Sequence, residues 1–422
     1  MGCLPAADPV NPDPIKENRV TATAPAASPE QLNELMIDAI GAAPHVGTRD
    51  PRVLAAIRAV PRHAFVPGAS LADAYNPDLA VITKRDSGGR SLSCASVPSL
   101  VGAMLEQLDV RDGHRVFEAG AGTGWNAALL ATLAGRGGHV TTIDIDPEIT
   151  AQAAANLERA GFLGVRVATG DAGLGVPDNA PYDRAIVTIG SLDVPPAWFA
   201  QLKPGGRLVV PLRWRGQSQS VALVLGDDGL LRSDSVFLCG FVPMLGQDWE
   251  HSAALDPGDL VHLYWDADQD ISPGQLHGVL DRPKTHVESG TTVGPMEPLD
   301  GIWVRAAATD PAVCRISAEP AAVTSGLCTP VVRSRTLTLA EGDSLAYLAV
   351  QRLEAPQSGF RAGAIGHGPD GASLAERLCR HIDTWGADRA AKPSITIYPH
   401  SATQTAGAQV IRREHCEMTI AY

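Results

Sequence analysis

No Cys-x-x-Cys pair occurs among the seven cysteines of this 422-residue chain, Cys3, Cys94, Cys239, Cys314, Cys328, Cys379 and Cys416. An odd set without that spacing indicates neither a disulfide framework nor a thiolate zinc site, so all seven read as reduced thiols. The twelve histidines show no His-x-x-x-His or His-Glu-x-x-His spacing, and no metal is placed. Asp266, Asp268 and Asp270 alternate as in a calcium loop, but Ile271 and His277 stand where that loop needs glycine and glutamate; a solvated turn is expected. Positive charge is scarce: 34 Lys and Arg face 47 Asp and Glu, a net charge of -13 that repels phosphate backbones and anionic bilayers. Neither a nucleic acid nor a membrane is an expected partner. No apolar run approaches the roughly 18 residues a membrane span needs. The first residues, with Asp8, Asp13 and six prolines before Glu30, lack a signal-peptide apolar region, so the expected compartment is the cytoplasm.

What is present is a chain that is 45% hydrophobic, enough to bury a large core and to divide into two or three units. Residues 1–28 lack hydrophobic periodicity and are expected to be a mobile tail. Ser28-Pro29-Glu30-Gln31 then reads as a capping box opening a helix, Asp50-Pro51 opens a second, and Leu100, Val101, Met104, Leu105 and Leu108 line a third. From Arg115 to about Leu225, short β-branched runs alternate with helical segments, the rhythm of a parallel sheet with crossover helices. The expected strands are 115–118, 139–144, 165–169, 182–188, 207–211 and 220–225. Residues 29–245 thus form one expected unit. Residues 246–422 are turn-rich, with expected strands at 301–306, 336–339, 344–351, 394–398 and 409–413 around one helix, 372–385. They read as a separate α+β unit, in which Arg412-Arg413 is ordinary surface.

The stretch Val116-Phe117-Glu118-Ala119-Gly120-Ala121-Gly122-Thr123-Gly124-Trp125 runs from a strand through a Gly-x-Gly-x-Gly turn into a helix expected from Asn126 to Leu133. Alternate glycines let a ligand approach the backbone closely. A dinucleotide fingerprint requires a glycine where this chain has Trp125, which disfavours NAD and FAD and with them an oxidoreductase on the same sheet. The shorter turn suits a ligand with adenosine but no pyrophosphate, with Glu118 near the expected place of an amino-acid ammonium group, which is how S-adenosylmethionine differs from a dinucleotide. Asp144 ends the second strand, 24 positions after Gly120, where its carboxylate can accept from two ribose hydroxyls, with Ile145 beside it. Asp171 and Ala172 follow the third strand, where they can meet the adenine amino group and a ring nitrogen. Asp144 and Asp171 also read as helix caps.

The flanks carry a resemblance. Val60-Pro61-Arg62-His63-Ala64-Phe65-Val66-Pro67, Ala74-Tyr75, Ser96-Val97-Pro98, the glycine turn, Gly170-Asp171, Ala180-Pro181-Tyr182-Asp183 and Leu202-Lys203-Pro204-Gly205-Gly206 follow in order. About residues 50–225 resemble a protein-L-isoaspartate O-methyltransferase. The resemblance implies a class I, Rossmann-like α/β methyltransferase that moves a methyl group from S-adenosylmethionine to a peptide side-chain carboxylate and leaves S-adenosyl-L-homocysteine. The family's Thr-Ile-Ser segment, which faces the substrate carboxylate, corresponds to Cys94-Ala95-Ser96, so Ser96 is the candidate catalytic residue and Ser96 and Val97 are candidate substrate contacts. Ser96 reads equally as the cap of the helix entered at Pro98. Cys94 replaces the usual threonine, and reads as a small packed side chain. The implied cofactor residues are Glu118, Gly120, Gly122, Thr123, Gly124, Asp144, Ile145, Asp171 and Ala172. The long extension resembles that of family members serving lanthipeptides, graspetides and lasso peptides. The expected substrate is therefore a modified precursor peptide whose Asp is esterified and closes to a succinimide; repair of isoaspartyl residues in damaged proteins is the alternative.

Overall fold

The computed structural model describes residues 27–89, 91–247, 250–354, 358–400 and 409–422. The expected tail, with Cys3, lies outside these but for its last two residues. Ser28 caps the helix Pro29–Ala42: its hydroxyl accepts from the Gln31 amide at 3.3 Å while the Gln31 side chain accepts from the Ser28 amide at 2.9 Å. Both orphan donors of the first turn are thereby satisfied. The helices Pro51–Ala59 and Pro98–Leu108 form where their apolar stripes predict.

Strands β1 (Val81–Arg85) and β2 (Ser91–Ala95) make a hairpin. The β-branched runs then build β3 (Arg115–Ala119), β4 (His139–Asp144), β5 (Arg166–Thr169), β6 (Tyr182–Val187), β7 (Leu202–Trp214), β8 (Gln217–Leu225) and β9 (Leu231–Leu238). Pairing from β5 through β4, β3 and β6 to β7 is parallel, and β7, β8 and β9 continue as an antiparallel meander. Chain order reverses between β3 and β6, so a crevice opens at the carboxyl ends of these strands.

After Gln247 the chain forms β10 (His251–Ala254), β11 (Val261–Trp265), β12 (Lys284–Val293), β13 (Val313–Ala318), β14 (Thr336–Glu341), β15 (Ser344–Arg352) and β16 (Phe360–His367). These pair in the order β10-β11-β13-β14-β15-β16-β12 as a second sheet, antiparallel throughout. The final strands, β17 (Ser394–Pro399), β18 (Val410–Arg412) and β19 (Cys416–Ala421), leave it and extend the first sheet to ten strands, β17 pairing with β9. The strands expected after residue 246 are thus shared between two sheets. An uncovered β9 would present a row of unpaired backbone groups, and β17 covers the start of it, pairing at Leu231 and Arg232.

One expected strand, 301–306, is a helix, Asp300–Ala307. Its short apolar run is ambiguous by periodicity, and packing decides: Ile302, Trp303 and Val304 are buried, and Trp303 Nε1 donates to the Arg215 carbonyl at 2.8 Å. This helix and the longer Gly371–Ala387 contribute to an apolar cluster that includes Leu212, Trp214 and Leu223 of the first sheet and Leu337, Leu348 and Ala364 of the second. The N-terminal helices cover the opposite face of the first sheet with a second cluster, around Ile57, Met104 and Leu129.

Candidate active site

The glycine turn after β3 holds its conformation because other residues cannot enter it. Gly120 has φ +100°, and a Cβ there would lie 2.6 Å from Thr188 Oγ1. Gly124, at φ +84°, caps the helix Trp125–Ala134, which begins one residue earlier than the expected Asn126. Beside the turn lies a buried arginine, Arg62, for which the sequence alone suggests no role. Arg62 donates to the carbonyls of Ala74 at 2.7 Å, Ala95 at 3.0 Å and Ser96 at 2.9 Å, and its guanidinium sits 5.4 Å from the Trp125 ring centroid. No carboxylate pairs with it among the described residues, and burial lowers its pKa to about 10. It fixes the end of β2 and Ser96 against the helix that carries Asn126.

Glu118 is fully buried at the end of β3. Its Oε1 accepts from Asn126 Nδ2 at 2.7 Å, while its Oε2 and the Asn126 Oδ1 have no partner. Burial pushes the Glu118 carboxyl up to about 7, against the pull of the Asn126 side chain and the Thr142 hydroxyl. The Thr142 hydroxyl, the register partner of Glu118 on β4 and itself without another partner, can donate to one of these acceptors, and a ligand ammonium with its three N–H groups suits what remains. Asp144 ends β4, with Oδ2 accepting from the Gly122 amide at 3.4 Å and Oδ1 from the Asp146 amide at 3.2 Å. Its carboxyl is also raised by burial. The cap of the following helix is Asp146, so Asp144 is left to face the cleft. Asp171 does cap a short turn, Oδ1 accepting from the Gly173 amide at 2.8 Å, and its exposed second oxygen remains for a ligand.

Two adjoining cavities gather these groups. Ser96, Glu118, Gly120, Gly122, Thr123, Asn126 and Asp144 line the inner one, about 60 Å³. Gly120, Asp144, Ile145, Asp171 and Ala172 line the outer, about 360 Å³, within the range of roughly 300–1,000 Å³ usual for small-molecule sites. Val97 and Gly124 line neither; Val97 stands at the start of the helix Pro98–Leu108 and Gly124 shapes the turn. Ser96 does not cap that helix, whose Ncap position is Val97 and which has no side-chain cap bond; the cap reading is corrected because Pro98 already occupies its first turn. Sequence reasoning missed one wall. Phe241 and Val242 line the inner cavity and Val242–Leu245 the outer, held by the Gly190 amide on the Val242 carbonyl and the Met244 amide on the Gly190 carbonyl, both 2.7 Å. Those bonds are between backbones, and no side-chain pattern announces them.

The family model of protein-L-isoaspartate(D-aspartate) O-methyltransferases matches residues 34–248. The chain belongs to this family. The protein-L-isoaspartate O-methyltransferase of Methanopyrus kandleri is 39% identical over 201 residues, which are 47% of this chain and 86% of that protein. That of Methanoculleus marisnigri is 40% identical over 203 residues, 48% of this chain and 86% of its own length. A solved structure named protein-L-isoaspartate O-methyltransferase superposes with a TM-score of 0.46 at 20% identity over 87% of this chain and 96% of its own. A Plasmodium falciparum member, solved in complex with S-adenosyl-L-homocysteine, gives 0.43 at 15% identity over 51% and 97%. This family member is an S-adenosylmethionine-dependent carboxyl O-methyltransferase, longer than these curated relatives, and the orphaned acceptors of the inner cavity fit the cofactor's ammonium. No helix among the described residues is long and apolar enough to cross a membrane.

Proposed function

We propose that this methyltransferase esterifies the free α-carboxylate of isoaspartyl residues in peptides. The observation that carries this reading is the family span itself, within which Ser96, Glu118, Gly122 and Asp144 line one cavity. Bound S-adenosylmethionine supplies a methyl group activated by its sulfonium. The protein's task is then to position the acceptor. A carboxylate is ionised at pH 7 and needs no general base. The Ser96 hydroxyl orients it at the rim of the inner cavity, with Ser96 itself held through its carbonyl by Arg62. Glu118 and Asn126 take the cofactor's ammonium, Asp144 its ribose hydroxyls, and Asp171 and the Ala172 amide its adenine. Leu92, Ile189 and Val242 line both cavities and give the site an apolar wall beside which the acceptor can be positioned for transfer.

A second reading is favoured by residues 249–422, which lie beyond the family span. In it the enzyme methylates one Asp of a macrocyclic ribosomal peptide such as a lanthipeptide, and residues 246–422 serve to recognise that peptide. The following backbone nitrogen then attacks the ester carbonyl, methanol leaves, and a succinimide forms. A dedicated enzyme gains selectivity from extra contacts, whereas a general repair enzyme gains little. The test is incubation with an isoaspartyl peptide and, separately, with an Asp-containing macrocyclic precursor, followed by mass spectrometry. Methylation of the isoaspartyl peptide supports the first reading. Methyl gain and methanol loss on the precursor alone would overturn it in favour of the second.

A further inference from the structure

A third cavity, about 360 Å³, lies next to the cleft and is lined by Leu192, Asp193, Gln247, Glu250, Asp266 and Arg413 among others. It is built where the two sheets meet. The loop after β6 supplies Asp193, the end of β11 leads into Asp266 and Asp268, and the turn between β18 and β19 supplies Arg413. The expected solvated turn is corrected at Asp266 and the expected surface at Arg413, while Asp270 and Arg412 are exposed as expected. Asp266 is 1% exposed, and the side chain of Arg413 only 9%, because Asp266 Oδ2 accepts from Arg413 Nη2 and from the Arg215 amide, each at 2.8 Å.

The accounting of acceptors is nearly closed. Asp193 accepts from the Val194 and His415 amides and from His415 Nδ1. Both oxygens of Glu250 accept from Arg315, one of them also from Arg213. Both oxygens of Asp268 accept from Arg215, one also from the Arg412 amide. Of the eight oxygens on these four carboxylates, one, Asp266 Oδ1, is buried without any partner. A buried carboxylate oxygen left bare is costly, and it marks a place for a donor from outside the protein.

The same two stretches of chain wall this cavity and the methyl-transfer cleft. Ile189 lines the cleft and Asp193 this cavity; Leu245 lines the cleft and Gln247 this cavity, where Gln247 Oε1 accepts from the Leu192 amide. Four residues of chain span at most about 14 Å, so an extended peptide of similar length reaches from one to the other. Building on the peptide-methyltransferase reading, we propose that this cavity is a second subsite for the substrate, in which Asp266 Oδ1 accepts a backbone amide N–H within a few residues of the methylated one. A backbone donor suits Asp266 Oδ1 because the hydrogen bonds above already meet the other oxygens of Asp193, Glu250, Asp266 and Asp268, and Glu414, the fifth carboxylate lining the cavity, is largely exposed.

The test is an amide-to-ester scan of a synthetic isoaspartyl peptide, in which each substitution removes one N–H and keeps the chain length. One position within about four residues of the methylated one should raise KM roughly tenfold with kcat unchanged, the size expected for a lost hydrogen bond to a charged group. Two variants that leave the ion pairs intact, Ala267→Trp and Leu192→Trp, fill the cavity from its walls. They should raise the KM of the parent peptide to the same level, cancel the ester effect and leave S-adenosylhomocysteine affinity unchanged. A flat scan, or an ester effect that survives both variants, would overturn the subsite. An alanine scan run in parallel that finds the loss at a side chain instead would overturn the backbone assignment. Fluorescence anisotropy of the labelled peptides with S-adenosylhomocysteine present reads binding without turnover. Absent methyl transfer therefore refutes the functional reading alone, while the binding scan still decides the subsite.

Discussion

Glu118 should make cofactor binding depend on pH. With its carboxyl at about 7 in the unliganded protein, Glu118 is half protonated at neutral pH, and an ammonium group binds only to the ionised form. Binding must expel that proton. If apparent affinity follows the ionised fraction, the dissociation constant of S-adenosylhomocysteine is about fivefold larger at pH 6 than at pH 7 and about fiftyfold larger at pH 5. The ligand's own ammonium, with an ordinary pKa of about 8, stays protonated throughout and does not blur the effect. Calorimetry at pH 6 in buffers of different ionisation enthalpy should count about 0.9 proton released per ligand bound. Glu118→Gln should remove most of this dependence and bind weakly at every pH; what remains belongs to Asp144, whose carboxyl is raised in the same direction. The stability of the unliganded enzyme carries the matching sign. Because the folded chain holds the Glu118 proton more tightly than the unfolded one, that contribution is largest below pH 4.5 and is lost as pH rises through about 7, on the order of 3 kcal/mol in all. Binding of S-adenosylhomocysteine that is flat from pH 7 to pH 5 with no proton released would refute the placement of the ammonium at Glu118.

Asp144→Ala removes the carboxylate assigned to two ribose hydroxyls, and at about 1.5 kcal/mol or more per charge-assisted bond it should weaken S-adenosylmethionine and S-adenosylhomocysteine alike by roughly a hundredfold; undiminished binding in calorimetry would remove the ribose assignment. A chain ending at residue 245 should be poorly soluble or melt far below the full enzyme, since it bares the edge of β9 and the apolar face around Trp214 and Leu223; a soluble fragment with the full chain's melting temperature would refute the shared core.

The first half of the fold was legible because its signals are local. The β-branched runs, the capping box at Ser28 and the glycine turn each act within a few residues, and β3, β4, β6 and the helix Trp125–Ala134 stand within a residue or so of expectation. The residues proposed to face the cofactor were legible for a related reason: successive strand ends of a parallel sheet carry Glu118, Asp144 and Asp171, so that Asp144 lines both adjoining cavities, Glu118 the inner and Asp171 the outer. The later half was harder. Nothing near Ser394 announces that β17 pairs with β9, about 160 residues earlier, and nothing near Gly301 says that its apolar run turns helical against Trp214 and Trp385. Arg413 looked like surface because a two-residue basic step usually is; only the distant Asp266 makes it an interior residue. Such contacts depend on tertiary placement, which a single sequence does not print.

The shared core also bears on which peptide suits this enzyme. An extension tethered by a flexible linker could follow a substrate of any shape, but here the second sheet packs on the first through a common apolar cluster, and β17–β19 tie the chain's last strands to β9. The direction in which a peptide leaves the cleft toward the cavity at Asp266 is then fixed. A flexible peptide must be ordered to follow that path, at about 1–2 kcal/mol per residue fixed, so four residues cost several kcal/mol of binding energy. A macrocycle that already holds those residues has lost part of that freedom before binding. If it removes even one residue's worth, a cyclised peptide should show a KM roughly tenfold below that of its linear counterpart of identical sequence, with kcat little changed. The comparison is made by methyl transfer followed by mass spectrometry on the two forms of one Asp-containing precursor. A linear form that is methylated as well as the cyclised one would remove preorganisation as the reason for the extension. It would leave the isoaspartyl reading as the better account of what this cleft receives.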